Sequence, residues 1–257
     1  MKFCSLSSSS YANCVVVQDE NTCILIDCGL RKRDIKPFLD SVGLTPGDID
    51  AVLITHSHND HVYGLKHLLA EKNMPVYSTG GIFKELTSTY TFKKTPNLYA
   101  LNQEQEERIN SMRVTPFRLS HDVETIGFMI GSGSRKLGFL TDTGFVPEDC
   151  LEALHSVNYL YIEANHDFEM YKYSAKPYYV KKRNLGPQGH LSNDQCGQAL
   201  KAMGLKKCEL VVLAHLSEDD NEPNKALETV RGYLPRQINL VAAPARTPGG
   251  WSDLIGK

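Results

Sequence analysis

The chain has 257 residues, 41% hydrophobic and 23% charged, and a net charge of −2 with its nine histidines counted neutral. That length suits one large domain or two small ones, and the composition is that of an ordinary globular protein with ample material for a core. No global positive charge marks it as a nucleic-acid-coating protein, and no apolar run approaches the roughly 20 residues that span a bilayer.

In chain order, apolar and β-branched runs predict strands at Lys2–Leu6, Cys14–Gln18, Cys23–Asp27, Ala51–Ile54, Pro75–Ser78, Met112–Leu119, Ile126–Gly131, Lys136–Thr141, Tyr159–Glu163, Leu210–Leu213 and Gln237–Ala242. Amphipathic spacing predicts helices at Arg33–Val42, Val62–Glu71, Ile82–Thr87, Pro147–His155, Asn193–Met203 and Pro223–Tyr233. Ser192 suits the cap of the fifth helix and Pro223 the first turn of the sixth. Ser5 to Asn13 reads as a polar loop between two strands. No repeat and no Pro/Gly/Ser-rich linker divides the chain, so residues 1–257 are expected to form a single domain. The seven cysteines form no C-x-x-C pair. With no signal peptide at the start, they are expected to be reduced, buried thiols of a cytoplasmic protein.

The densest chemistry is Thr55-His56-Ser57-His58-Asn59-Asp60-His61. It falls between the strand Ala51–Ile54 and the helix Val62–Glu71. On an extended turn His56 and His58 point to one side, and Asp60 and His61 face back from the start of the helix. Imidazole nitrogen and carboxylate oxygen suit zinc, manganese or iron. A lone histidine on a turn is usually surface decoration. Three histidines and an aspartate in six positions read instead as two adjacent half-sites, His56/His58 and Asp60/His61.

The pattern His56-x-His58-x-Asp60-His61 resembles the H-x-H-x-D-H signature of the metallo-β-lactamase fold. The resemblance implies an α/β (α+β) protein, a four-layer αββα sandwich of two mixed β-sheets flanked by helices, and a hydrolase with a one- or two-metal site. Leu119-Ser120-His121, Leu140-Thr141-Asp142 and Leu213-Ala214-His215 stand at strand ends in the order of the family's remaining ligands. The resemblance therefore implies His56, His58 and His121 on one metal, Asp60, His61 and His215 on the other, and Asp142 bridging both. It implies that Asp27, in Ile24-Leu25-Ile26-Asp27-Cys28-Gly29, orients a ligating histidine from behind; the plainer reading is an Asp that caps a turn before Gly29. His166 has the same implied place behind the ligands, and Asn13 a weak role near the metals.

Departures narrow the activity. Asp142 stands where β-lactam-opening members often have Cys, and His58 where diiron relatives tend to have Glu. The stretch from Asp142 to His215 is too short for an inserted domain. Within it, Met170 to Asn193 has no Asp or Glu but carries Lys172, Lys176, Lys181, Lys182 and Arg183 among Tyr171, Tyr173, Tyr178 and Tyr179. Such a loop either tracks phosphates and stacks on bases, or is solvated with its tyrosines packed on the domain.

The stretches Glu163-x-Asn165-His166-Asp167, Gly189-His190-Leu191-Ser192 and Leu213-Ala214-His215-Leu216-Ser217 resemble the WalJ/YycJ-type hydrolases, cytoplasmic bacterial members regarded as exonucleases on double-stranded DNA from a 5′ end. Zinc or manganese is then the implied pair of cations, iron less so, and nucleic acid the partner, DNA over RNA, with no membrane. The implied mechanism is attack by a hydroxide bridging the two metals, with Asp60 able to accept a proton. His190 stabilises the transition state or protonates the departing oxygen, while Asn165, Lys181, Lys182, Arg183 and Ser192 help hold the strand. Hydrolysis of a small phosphodiester, ester or thioester is the alternative. A non-catalytic regulatory metal-binding protein is the third, disfavoured by seven intact ligands.

Overall fold

Short apolar runs ending in polar turns build the strands, and the computed structural model describes them over residues 1–255. The chain divides into two units, Met1–Pro116 with Pro244–Lys257, and Phe117–Ala243. No helix among the described residues is long and apolar enough to cross a membrane.

In the first unit six strands lie side by side in sequence order. β1 (Lys2–Ser9), β2 (Ala12–Gln18) and β3 (Cys23–Ile26) pair antiparallel. β4 (Ala51–Leu53), β5 (Pro75–Ser78) and β6 (Asn97–Ala100) follow parallel to β3. Parallel neighbours need crossovers. These are supplied by α1 (Lys32–Ser41), the pair α2 (Asn59–Val62) and α3 (Leu65–Glu71), and α4 (Gly80–Thr89). β3 and β4 are buried along their whole length, as expected of strands covered on both faces. α1 buries Ile35 and Leu39, one turn apart. Each such aliphatic side chain stabilises the fold by roughly 1.5–3 kcal/mol.

The second sheet has the order β13-β12-β11-β10-β9-β8-β7. Its strands are β7 (Glu107–Ile109), β8 (Met112–Leu119), β9 (Thr125–Ser132), β10 (Arg135–Leu140), β11 (Tyr159–Glu163), β12 (Leu210–Ala214) and β13 (Asn239–Ala242). From β10 to β13 the pairing is parallel. The helices of the second unit are α5 (Glu148–Leu154), α6 (Phe168–Lys172), α7 (Tyr178–Asn184), α8 (Asn193–Met203) and α9 (Pro223–Arg231). Leu160, Ile162, Val211 and Leu213 from the strands form one core with Leu154, Leu200 and Val230 from the helices. Both sheets are mixed and both units carry helices, as the sequence predicts.

Several local expectations change. The predicted helix Val62–Glu71 starts only at Leu65, as α3: Val62 closes the short α2, and between the two the Gly64 N–H donates to the Cys28 carbonyl at 2.8 Å. The polar stretch Ser5–Asn13 is not a loop: β1 runs on to Ser9 and β2 starts at Ala12, with a shift in register between Ser5 and Ser7. Ser5, Ser7, Ser8 and Ser9 are buried, and Ser7 Oγ donates to Ala245 O at 2.7 Å. That bond belongs to a C-terminal segment that runs beside β1. Ser8 N donates to Pro244 O, Gly249 N to Ser5 O and Ser252 N to Phe3 O, at 3.2, 2.8 and 2.8 Å. The segment covers the outer edge of β1, an edge that would otherwise invite pairing with another chain. Strands β6 and β7 escaped the sequence reading, since Asn97–Ala100 and Glu107–Ile109 are largely exposed and carry little apolar signal.

A Cβ added to Gly29 would fall 1.6 Å from the Asp60 carbonyl oxygen. Gly29→Ala must therefore push the β3 turn away from α2. We expect a loss of at least about 3 kcal/mol and roughly 6 °C or more in Tm; a melting curve matching that of the unaltered protein would show that the two segments are not held this close.

Candidate metal centre

In the first unit Asp27 follows β3, and His56, His58, Asp60 and His61 follow β4 into α2. The imidazoles of His56 and His58 lie 4.7 Å apart by ring centroid, and those of His56 and His61 4.1 Å. Asp60 Oδ2 is 3.4 Å from His61 Nε2. His61 Nδ1 meets Asp27 Oδ2 at 2.7 Å, and since a carboxylate only accepts, Nδ1 carries the proton. Thr55 donates to both Asp27 oxygens, from its N–H at 2.9 Å and from Oγ1 at 2.8 Å. With its proton so placed, Thr55 Oγ1 accepts from His56 Nδ1 at 3.0 Å. Burial pushes the Asp27 carboxyl above its ordinary value, against the pull of His61 and Thr55. Asn13 Nδ2 lies 2.9 Å from His61 Nε2 and 3.2 Å from Asp60 Oδ2, so its amide holds both side chains.

In the second unit His121 follows β8, Asp142 follows β10, Glu163 ends β11 and His215 follows β12. Asp142, Glu163, His190 and His215 place donor atoms within 4.8 Å of one another. Glu163 is fully buried and receives four bonds. His190 Nδ1 and His215 Nδ1 both donate to Oε1 at 2.8 Å. The backbone N–H groups of Thr143 and Leu191 donate to Oε2 at 3.2 and 3.0 Å. Burial alone would raise its pKa, but the two imidazoles and their hydrogen bonds outweigh it and bring it to about 2. His121 Nδ1 donates to Gly189 O at 3.2 Å, and burial holds its imidazole below the usual value, favouring the neutral form that metals bind.

Across both units one rule recurs: Nδ1 of His56, His61, His121, His190 and His215 is anchored by a group of the chain. This fixes the tautomer and makes Nε2 the nitrogen able to accept a metal or a proton, although at His61 the Asn13 amide lies against it. Among the described residues, Asp142, Glu163, His190 and His215 of the second unit are a group of imidazole and carboxylate donors close enough together for a zinc- or manganese-type cation, and the first unit contributes His56, His58, Asp60 and His61, of which His56 and His61 are buried.

Other predicted residues take different places. Asn165 Nδ2 donates to His215 O at 2.9 Å, bracing the turn that presents His215. Ser192 caps α8, accepting from Gln195 N. His166 is fully buried against the Tyr171 ring, centroids 4.7 Å apart, outside the Asp142/Glu163 cluster. Neither of its ring nitrogens has a hydrogen-bond partner among the described residues, and burial lowers its pKa to about 4. The stretch Met170 to Asn193 is not one loop but contains α6 and α7. Tyr171 is buried, and Lys176 forms an ion pair with Asp220. Tyr173, Tyr178 and Tyr179 are exposed, Lys181 and Lys182 lie in the last turn of α7, and Arg183 Nη1 stands 3.3 Å from Asp122.

Glu163 is the residue at the centre of the second cluster to which the sequence assigned no role. Its signal was present: an apolar strand, Leu160-Tyr161-Ile162, ending in a carboxylate, as at Asp27.

A family model described as Beta-lactamase superfamily domain matches residues 22–216. Exodeoxyribonuclease YycJ of Bacillus anthracis is 28% identical over 235 residues, 91% of this chain and 89% of its own length. Exodeoxyribonuclease WalJ of Streptococcus pneumoniae is 26% identical over 236 residues, 91% and 88% of the two chains. Among solved structures, the metallo-β-lactamase fold protein YhfI from Bacillus subtilis superposes with a TM-score of 0.76 at 16% identity, covering 97% of this chain and 99% of that one. Zn²⁺-bound PqqB from Methylobacterium extorquens gives 0.76 at 16%, covering 97% and 100%. At these identities the two structures speak for the fold, the expected αββα sandwich.

Two outcomes follow from the second unit. In Glu163→Gln an amide NH₂ must face either two backbone N–H groups or two imidazole N–H groups. We expect metal affinity to fall about 10–100-fold with roughly 1–3 kcal/mol of stability, read by metal titration and thermal melting. His166 has a folded pKa below its unfolded value, so the stability it contributes is complete above about pH 6.5 and is lost as pH falls towards 4. His166→Phe should flatten the decline in denaturant midpoint over that window, and an equally steep decline would show that the acid sensitivity arises elsewhere.

Proposed function

Since this chain belongs to the beta-lactamase superfamily, a family of hydrolases, we propose that it is a metal-dependent exonuclease that degrades double-stranded DNA from a 5′ end. The observation that carries the metal reading is the set of histidines anchored through Nδ1. The nucleic-acid reading is supported by the two exodeoxyribonucleases, similar over 91% of the chain.

In this reading His56, His58 and His121 hold one divalent cation, Asp60, His61 and His215 the other, and Asp142 both. The cations are zinc or manganese, and the two units act as one domain over residues 1–257. When bound, such a pair supplies an acidified water, its pKa taken from 15.7 towards about 7, and neutralises charge on a phosphate. The chain's own groups do the rest. Asp27 and Glu163 fix the imidazoles behind the site. Asp60, braced by Asn13, accepts a proton at Oδ2. His190, oriented by Glu163 at its Nδ1, gives one from Nε2 to the departing oxygen. The last turn of α7, with Lys181, Lys182 and Arg183, and the exposed Tyr178 and Tyr179 hold the strand. Burial of all seven unbridged cysteines supports a reducing compartment, the cytoplasm.

The test combines metal analysis with digestion of end-labelled duplex, single-stranded DNA and RNA. Release of mononucleotides from a labelled 5′ end of duplex supports the reading. Cleavage of bis(p-nitrophenyl) phosphate with all three polymers left intact would move the protein to small phosphodiesters. Asp142→Asn is expected to lose bound metal and hydrolysis together, by about 100-fold or more. Full metal content with full activity would overturn the bridging role.

A further inference from the structure

A cavity of about 950 Å³ opens in the first unit, with Asp60 in its wall. Its polar lining is dominated by guanidinium groups, Arg31 and Arg33 at the start of α1 and Arg246 in the C-terminal segment. Three such cations face two carboxylates, Asp34 and Asp60, and Asp60 is one of the ligands proposed above. Arg33 lies 3.7 Å from Asp34. Tyr11, Phe38 and Tyr63 supply aromatic surface. Arg31 occupies the N-cap position of α1 and makes no side-chain cap. The positive end of a ten-residue helix therefore adds to the charge of the arginines.

Tyr11 forms the tip of the β1–β2 hairpin and is 59% exposed. It is not left unsupported. The Arg246 guanidinium lies 3.9 Å from its ring centroid. Arg246 is held there because Ala245 O accepts from Ser7 Oγ and Ser8 N, at 2.7 and 3.3 Å. The C-terminal segment thus does more than cover β1. It backs one aromatic ring with a cation. A ring backed in this way, beside guanidinium groups suited to phosphate, has the chemistry to stack a base and hold its phosphate. The cavity is large enough for one nucleotide with room to spare.

We infer that this cavity is a subsite for a nucleoside monophosphate unit of the strand, its phosphate taken by Arg31 and Arg33 and its base stacked on Tyr11. The inference rests on the nuclease reading for its place in a reaction, but the binding can be measured without turnover.

The experiment is isothermal titration of the full-length, chelator-treated protein with deoxyadenosine 5′-monophosphate, inorganic phosphate and deoxyadenosine. The monophosphate is expected to bind more tightly than either fragment. The double variant Arg31→Ala/Arg33→Ala should weaken monophosphate and phosphate by about 10-fold or more. Tyr11→Ala should weaken monophosphate and nucleoside by about 5-fold or more, while Tyr11→Trp retains both. All three side chains are exposed, and melting curves identify any variant that fails to fold. Equal affinity for phosphate and monophosphate, or affinities that neither variant moves, would overturn the subsite. Binding here by a protein that degrades no DNA would instead remove the exonuclease reading and leave the subsite standing.

Discussion

Two buried carboxylates determine where three of the histidines of this protein point. Asp27 grips His61 in the first unit, and Glu163 grips both His190 and His215 in the second. A buried carboxylate that lacked donors would shed its charge or unfold its surroundings. Here each is saturated: Asp27 by His61 and two donors from Thr55, Glu163 by two imidazoles and two backbone amides. The bonds that satisfy the carboxylate are the same ones that fix each ring. Removing the carboxylate therefore frees a ring and orphans donors in one step, which is why orientation and stability are coupled at this site.

The backbone is bent to the same purpose. Asp27, Asp142 and His215 have φ of 59°, 60° and 52°, in the left-handed region that side chains avoid. Each follows the end of a strand, where the chain must turn sharply for its side chain to project from the strand's end. Such conformations cost of order 1–3 kcal/mol each and persist only when neighbours enforce them. For Asp27 the enforcing bond runs from its N–H to Leu53 O at 2.8 Å, and for His215 from Asn165 Nδ2 to the His215 carbonyl at 2.9 Å. Asn165 thus serves the site by holding a strained backbone rather than by touching a substrate. Among the described residues Glu104 and Asn110, both in turns, share this backbone conformation, so it marks tight turns as well as residues read as ligands or their support.

The candidate cluster was legible because its residue types are rare in combination and close in sequence. His56 to His61 needs only the local turn to bring its rings together. Asp142 and His215 were legible because each follows an apolar strand of β10 or β12, and the family's order of ligands gave each a role. What the sequence concealed was long-range: the late start of the predicted Val62–Glu71 helix, after a Gly64 that bonds to the Cys28 carbonyl, and the burial of Tyr171 and pairing of Lys176, in a stretch that holds two helices and has part of its charge already neutralised. Composition counts charges, but only packing says which of them face outwards.

Glu163 and the C-terminal segment carry the same lesson in opposite ways. At Glu163 the signal was as strong as at Asp27, an apolar strand ending in a carboxylate, and the same physical question, what neutralises it, leads to the two histidines. Residues 244–252 offered no comparable signal, because a segment that pairs by backbone groups alone needs no periodicity of its own. Its side of the bargain lies in the β1 serines. Ser7 and Ser8 look like a flexible linker in sequence, yet a small hydroxyl residue is what allows a neighbouring backbone to approach closely, and Ser7 Oγ then bonds to that backbone. A serine run inside a strand is thus better read as a surface prepared for a second chain segment than as a loop, and the segment it receives sets Arg246 over Tyr11.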